Sequence, residues 1–230
     1  MEKRYKERRK EIEVFFESAE LVSDLVEEFV SPSGKFMLRT EVYSKGKNTW
    51  SYSRGIVTLV GSNEVIADVK RNYGTFWHEW CKHPNGFEYL LCGEDYQGYT
   101  VINLDERSIK SFFPESAYDG NGFCWAKVYA SPGGNILAVD GCYWACPYEL
   151  VLYDFTEPDI LPLSELSRTE DLMESEGWLN ENTFVLTREV ECRKSDGKPY
   201  KGLNEEEQDR LDSDARLVEY RVERLEVTWP

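Results

Sequence analysis

The stretch FCWAKVYASPGGNILAVDGCYWACPYELVLYDF, residues 123–155, decides the fold reading. Short runs rich in β-branched and aromatic residues, separated by turn residues, read as antiparallel strands. Val128 and Tyr129 close a first run. Ser131-Pro132-Gly133-Gly134 follows as a tight turn, because proline presets φ and glycine accepts φ > 0. Residues 136–139 form a second strand. A loop with Cys142, Tyr143, Trp144 and Cys146 leads to a third at 150–155, and 160–163 fits a short fourth.

Working outward, the same unit recurs. Residues 28–36, 79–87, 128–136 and, more weakly, 176–184 each place a turn before an apolar strand. Gly34, Gly86, Gly134 and Asn182 lie about 50 residues apart, a period typical of stacked or radial repeats. Strands are expected after each turn at 36–42, 87–92, 136–139 and 184–190. Third strands are expected at 55–60, 99–104, 150–155 and 217–222, and fourth strands at 65–69, 108–113, 160–163 and 224–229.

The Ser-Pro-x-Gly turn between strands, and a third strand ending Leu150-Val151-Leu152-Tyr153-Asp154-Phe155, resemble a WD-repeat-type β-propeller blade. That resemblance covers residues 28–229 and implies an all-β fold, a small β-propeller-like array of about four antiparallel blades with an N-terminal helix. It implies blades at about 29–70, 71–118, 119–166 and 167–230, within a single domain over 29–230. The chain departs from the pattern: no Gly-His pair is present and no Trp-Asp pair closes a strand. The resemblance is silent on activity, because one fold hosts many functions.

Residues 1–28 read as a helix, with Ile12, Phe15, Phe16, Ala19, Val22, Leu25, Val26 and Phe29 at helical spacing. Its first third is basic and its end acidic, opposite to the preference of the helix dipole, so packing must hold it. Residues 193–216 form a polar insertion in the last unit. Asn204 and Glu207 in it fit a capping box for a short helix.

The net charge is −16 over 230 residues, which argues against direct nucleic-acid or anionic-membrane binding and allows a basic protein partner. No run approaches the roughly 20 apolar residues of a membrane span. The first residues lack a signal-type apolar core, so a cytoplasmic protein with reduced cysteines is expected.

In propellers of the type this resembles, loops between second and third strands share one face with loops between blades. Carried over, that gathers Trp50, Tyr52, Glu94, Asp95, Tyr96, Gln97, Tyr143 and Trp144, with Trp77 from a joining loop, as a ligand- or partner-binding set. Aromatics among polar groups suit protein hot spots and also sugar or planar-ligand pockets. The competing reading is that individual rings pack in the core.

Signals for chemistry are thinner. Cys81 and His83 share a strand face, with His78 opposite, but zinc sites use paired local spacings and no second pair stands out beyond the loose Cys142/Cys146 spacing. Glu94, Asp95 and Asp140 are candidate paired carboxylates in a chain with 43 acidic residues. Neither a Gly-x-Ser-x-Gly turn nor a phosphate-binding loop occurs. No metal, cofactor or catalytic residue is assigned. The expected function is a non-catalytic protein–protein interaction module with its aromatic loops on one face. The alternatives are a hydrolase or small-ligand or sugar-binding protein using the same face, and an acidic inhibitor of a basic partner.

Overall fold

The structure, a computed structural model, describes residues 2–144 and 147–229. Helix α1 (Glu2–Phe16) precedes three antiparallel sheets. The first contains β1 (Glu20–Leu21), β2 (Glu27–Val30), β3 (Phe36–Ser44), β4 (Ser51–Leu59) and β5 (Val65–Arg71). The second contains β6 (Glu79–Lys82), β7 (Glu88–Cys92), β8 (Tyr99–Asn103) and β9 (Ser108–Phe112). The third contains β10 (Phe123–Ala130), β11 (Ile136–Tyr143), β12 (Tyr148–Asp154), β13 (Glu165–Trp178), β14 (Thr183–Arg193) and β15 (Val218–Thr228), with helix α2 (Glu205–Asp212) between the last two strands.

The repeat is real at the level of turns. The amides of Gly34, Gly86 and Gly134 donate to the carbonyls of Ser31, His83 and Ser131 at 2.9, 3.0 and 2.8 Å. All three glycines sit at positive φ (74°, 91° and 75°), where a side chain would be strained. These turns close the β2–β3, β6–β7 and β10–β11 hairpins, one in each sheet.

The turns do not build a propeller. The WD-repeat-like β-propeller resemblance is overturned: the three sheets are separate, open and linear, with no circular arrangement. The physical reason lies in the third sheet. A blade must end after its fourth strand and hand the chain to a new sheet. Here β12 pairs directly with β13, from Tyr148↔Leu172 to Tyr153↔Glu165. The expected third and fourth units therefore fuse into one six-stranded meander in the order β10-β11-β12-β13-β14-β15. Residues 160–163 form no strand, and the two expected last strands are one, β15.

The first helix also differs. It stops at Phe16 rather than near residue 28. The apolar residues beyond it serve strands instead: Leu21 lies opposite Tyr43, and Phe29 opposite Leu38. The capping box forms as its sequence predicts, with the Glu207 amide donating to Asn204 Oδ1 at 2.9 Å and the Asn204 amide to Glu207 Oε2 at 3.1 Å.

The second sheet is the middle layer, and alternation along its strands shows why. Tyr89 and Leu91 of β7, with Tyr99 and Val101 of β8, join Trp125, Val128, Leu137, Val139, Val151 and Phe155 of the third sheet's side in one core. Leu90, Cys92 and Ile102, from the opposite face, join Phe36, Leu38, Val57 and Val69 of the first sheet in another. A strand covered on both faces reads as a continuous apolar run, as β7 does. In the third sheet, Ile136, Ala138, Leu150 and Leu152 face a further core with Phe184 and Leu186 of β14. Register shifts in β13, between Leu172 and Glu174 and between Ser175 and Gly177, accompany that packing, since bulges bend a strand.

Candidate functional site

The site is built on Arg71, the last residue of β5. Its guanidinium is buried and donates from Nε to the Thr75 carbonyl at 3.0 Å, and from Nη1 to the carbonyls of Gly93 and Asp95 at 2.9 and 2.8 Å. Burial pushes its pKa down to about 10, so the group stays charged at neutral pH. These bonds tie the chain leaving the first sheet to the β7–β8 loop of the second. Position 93 requires glycine, because a Cβ there would lie 2.5 Å from Arg71 Nη1.

Asn72 extends the lock. Its Nδ2 donates to Asp95 Oδ2 at 2.5 Å, and its Oδ1 accepts from the Tyr96 amide at 3.0 Å. Its carbonyl accepts from the Trp50 indole at 3.0 Å. Asp95 Oδ1 in turn accepts from the Gln97 amide at 3.1 Å. A buried polar network of this kind is stable only when its members are satisfied, and it then fixes one geometry.

Above this floor lies a groove of about 400 Å³ lined by Arg8, Phe15, Trp50, Tyr52, Asn72, Tyr96 and Trp144. It draws on all three sheets: Trp50 precedes β4, Tyr96 lies between β7 and β8, and Trp144 follows β11. Trp144 is 63% and Trp50 54% exposed. The Tyr96 and Trp144 rings lie 6.0 Å apart, centroid to centroid.

Helix α1 forms one wall. Phe15 stacks on Tyr52 with centroids 3.7 Å apart, and Phe16 meets Tyr43 edge-on at 5.0 Å. Arg8 Nε donates to Asp95 Oδ2 at 2.9 Å, and Arg9 lies 3.4 Å from Glu94. The Tyr5 hydroxyl donates to Glu94, and burial with that carboxylate holds the phenol above its ordinary pKa. Of the helix's apolar residues only Ile12 is fully buried.

The expected residues divide accordingly. Trp50, Tyr52, Tyr96 and Trp144 line the groove, while Asp95 lies beneath it and Glu94 is held by α1. Gln97 is buried and structural, with its side chain bonded to the Ala117 carbonyl and the Gly122 amide. Trp77 belongs to the core, tilted against Trp125 at 5.8 Å. Tyr143 packs beside Phe123 and Arg168, away from the groove lining. Arg8 and Phe15 in the groove lining and Arg71 beneath it lie outside the set that the sequence gathers. A run of cations in an acidic chain was the available signal for Arg8.

The candidate chemistry is dispersed. His83 Nε2 bonds the Phe155 carbonyl at 2.9 Å, Cys81 Sγ faces the Gly134 carbonyl at 3.5 Å, and His78 packs on Phe29 at 4.4 Å. Among the described residues no group of three or more His, Cys, Asp or Glu side chains is placed to hold a metal ion, and Cys146 lies outside them. Asp140 accepts from Tyr129 at 3.0 Å and Ser175 at 2.6 Å in the third sheet, apart from Glu94 and Asp95.

No protein-family model matches the chain. Over 184 residues it is 37% identical to uncharacterized protein R762 of Acanthamoeba polyphaga mimivirus, covering 74% of this chain and 70% of that one. The chain belongs to that protein's family. Among solved structures, prolyl oligopeptidase B of Galerina marginata is similar at 13% identity and a TM-score of 0.43, over 72% of this chain and 22% of that one. Hydrazine synthase of Kuenenia stuttgartiensis is similar at 12% identity and a TM-score of 0.38, over 70% and 55% of the two chains. The chain thus spans about a fifth and about half of those proteins. At these TM-scores neither likeness bears on the fold or the activity of the family.

Proposed function

We propose that this chain is a non-catalytic protein-interaction module whose working surface is the groove between α1 and the loops carrying Trp50, Tyr96 and Trp144. One observation carries the reading: two largely exposed tryptophans flank a floor locked by Asn72 and Asp95. Exposed aromatic anchors over a rigid base are the usual composition of interface hot spots. Pre-ordering the base lowers the ordering cost of association. The polar groups lining the groove serve its shape, with Arg8 on Asp95, and Asn72 on Asp95 and Tyr96. The strongly acidic chain favours a basic partner.

The test is affinity capture from native lysate with wild type beside a Tyr96→Ala/Trp144→Ala variant, read by mass spectrometry for proteins and small molecules. Circular dichroism establishes that the variant is folded. A protein recovered by wild type and lost with the variant is the expected result. A small molecule retained by wild type alone, with no protein, replaces the reading with a ligand pocket.

A further inference from the structure

Helix α1 rests on the β-structure in the manner of a bound ligand. It carries six cations, Lys3, Arg4, Lys6, Arg8, Arg9 and Lys10, against four carboxylates, Glu2, Glu7, Glu11 and Glu13, and so is net basic in a chain of net charge −16. Its attachments are polar and stacking contacts around a single fully buried apolar side chain, Ile12. Tyr5 and Arg9 reach Glu94, and Arg8 reaches Asp95. Arg9 Nη1 also donates to the Lys70 carbonyl at 3.1 Å, and Glu13 pairs with Lys70. Arg4 lies 3.5 Å from Asp119 and 4.3 Å above the Tyr118 ring. The receiving groups come from separate segments: the β7–β8 loop, the stretch after β9, and strands β3 to β5.

Two features mark α1 as a replaceable occupant. Its cations crowd the first ten residues and its last turn has none, so its own dipole disfavours it. A helix of this length is marginal in isolation, and docking must supply its stability. It is also joined to β1 only through residues 17–19. Such a tether keeps α1 near its bed without making it part of a sheet.

We propose that the bed formed by Glu94, Asp95, Tyr52, Tyr43 and Asp119 is a receptor for a basic helix of a partner protein, and that α1 is its tethered resident, displaced when the partner binds. This deepens the proposed function and rests on it: the incoming helix takes the place of α1 as the groove's wall, beside Trp50, Tyr96 and Trp144. The resident defines the ligand: Tyr5, Arg8, Arg9, Ile12 and Phe15 recur at the spacing of one helix face, so the partner presents Tyr-x-x-Arg-Arg-x-x-Ile-x-x-Phe or its chemical equivalent. Asp95 specifies the arginine, because it is only 2% exposed and meets that cation through a short charge-assisted bond.

The probe is a fluorescein-labelled peptide of residues 2–17, titrated by anisotropy against full-length chains. A short tether gives α1 an effective concentration of about 1 mM. A peptide of intrinsic Kd near 50 μM is then held back roughly twentyfold by the resident helix, from the same relation. A Tyr5→Ala/Arg8→Glu chain, whose resident is weakened and whose bed is intact, is expected to bind at least tenfold tighter than wild type. Glu94→Lys in that background abolishes the gain, and a scrambled peptide does not bind. Arg9→Glu alone serves if the double variant loses its near-UV signal.

Equal binding by wild type and the weakened chain overturns the proposal, as does equal binding of the scrambled peptide. Dimers that form by exchanging α1, seen by light scattering, overturn it in favour of a second copy as the occupant. A failed titration beside an intact Trp144-dependent capture removes only this inference. A successful titration beside failed capture removes the Tyr96/Trp144 surface assignment instead.

Discussion

Replacing Arg71 with methionine removes the donors that hold the β7–β8 loop to the end of β5 while keeping similar bulk. The side chain makes three bonds to carbonyls, at 2.8, 2.9 and 3.0 Å, in a site where the residue is 3% exposed. A hydrogen bond from a charged donor contributes about 1.5–3 kcal/mol, and a buried acceptor left without a partner costs about 1–3 kcal/mol. Two of the bonds share Nη1, so they do not add in full. The desolvation that lowers the Arg71 pKa also vanishes in the variant and offsets part of the loss. The expected net destabilisation is about 2–4 kcal/mol. For a chain of this size that lowers Tm by roughly 5–15 °C. Urea unfolding followed by tryptophan fluorescence, alongside calorimetry, measures it. Arg71→Lys keeps the charge but loses the planar fork, and it is expected to recover less than half of the loss. A cost below about 1 kcal/mol for Arg71→Met would refute the view that this guanidinium holds the loops together.

Other outcomes follow from burial elsewhere. Asp140 is half-enclosed in the third sheet, and burial raises its pKa although Ser175 and Tyr129 donate to it. Between the ordinary carboxylate value and the raised one, the folded chain holds a proton that the unfolded chain has lost. The group's stabilising contribution is therefore full at low pH and is lost as pH rises through the folded value. Tm measured at pH 7 and pH 4 should show wild type gaining on Asp140→Asn as pH falls, and the opposite trend would remove the argument. The thiols of Cys81 and Cys92 are buried and pushed up to about 12. Iodoacetamide at pH 8 is expected to leave both unmodified in the native chain and to label them after urea unfolding, because the thiolate is the nucleophile; peptide mapping distinguishes the two, and native labelling would contradict the packing around them.

Local features were legible in the sequence because their causes are local. The turns at Gly34, Gly86 and Gly134 follow from which residues accept positive φ, and the helix cap at Asn204 from which side chains reach a free amide. Most strands lie where apolar runs between turns placed them, and the sequence also put Trp50, Tyr52, Tyr96 and Trp144 in one set, though through a propeller that does not exist. The tertiary structure decided what neighbours each strand acquires. Pairing of β12 with β13 turns two expected blades into one sheet, and nothing in either strand's own pattern names its partner. Alternation tells which side chains share a face but not what covers that face. Trp77 enters the core and Trp144 meets solvent, although each directly follows another aromatic residue in the sequence, Phe76 and Tyr143. Arg71, Asn72 and Asp95 find one another, and α1 finds its acidic bed, through contacts between residues far apart in the chain. Such contacts form only once packing of the sheets has brought those segments together, so their energies belong to the fold and not to any one stretch of sequence.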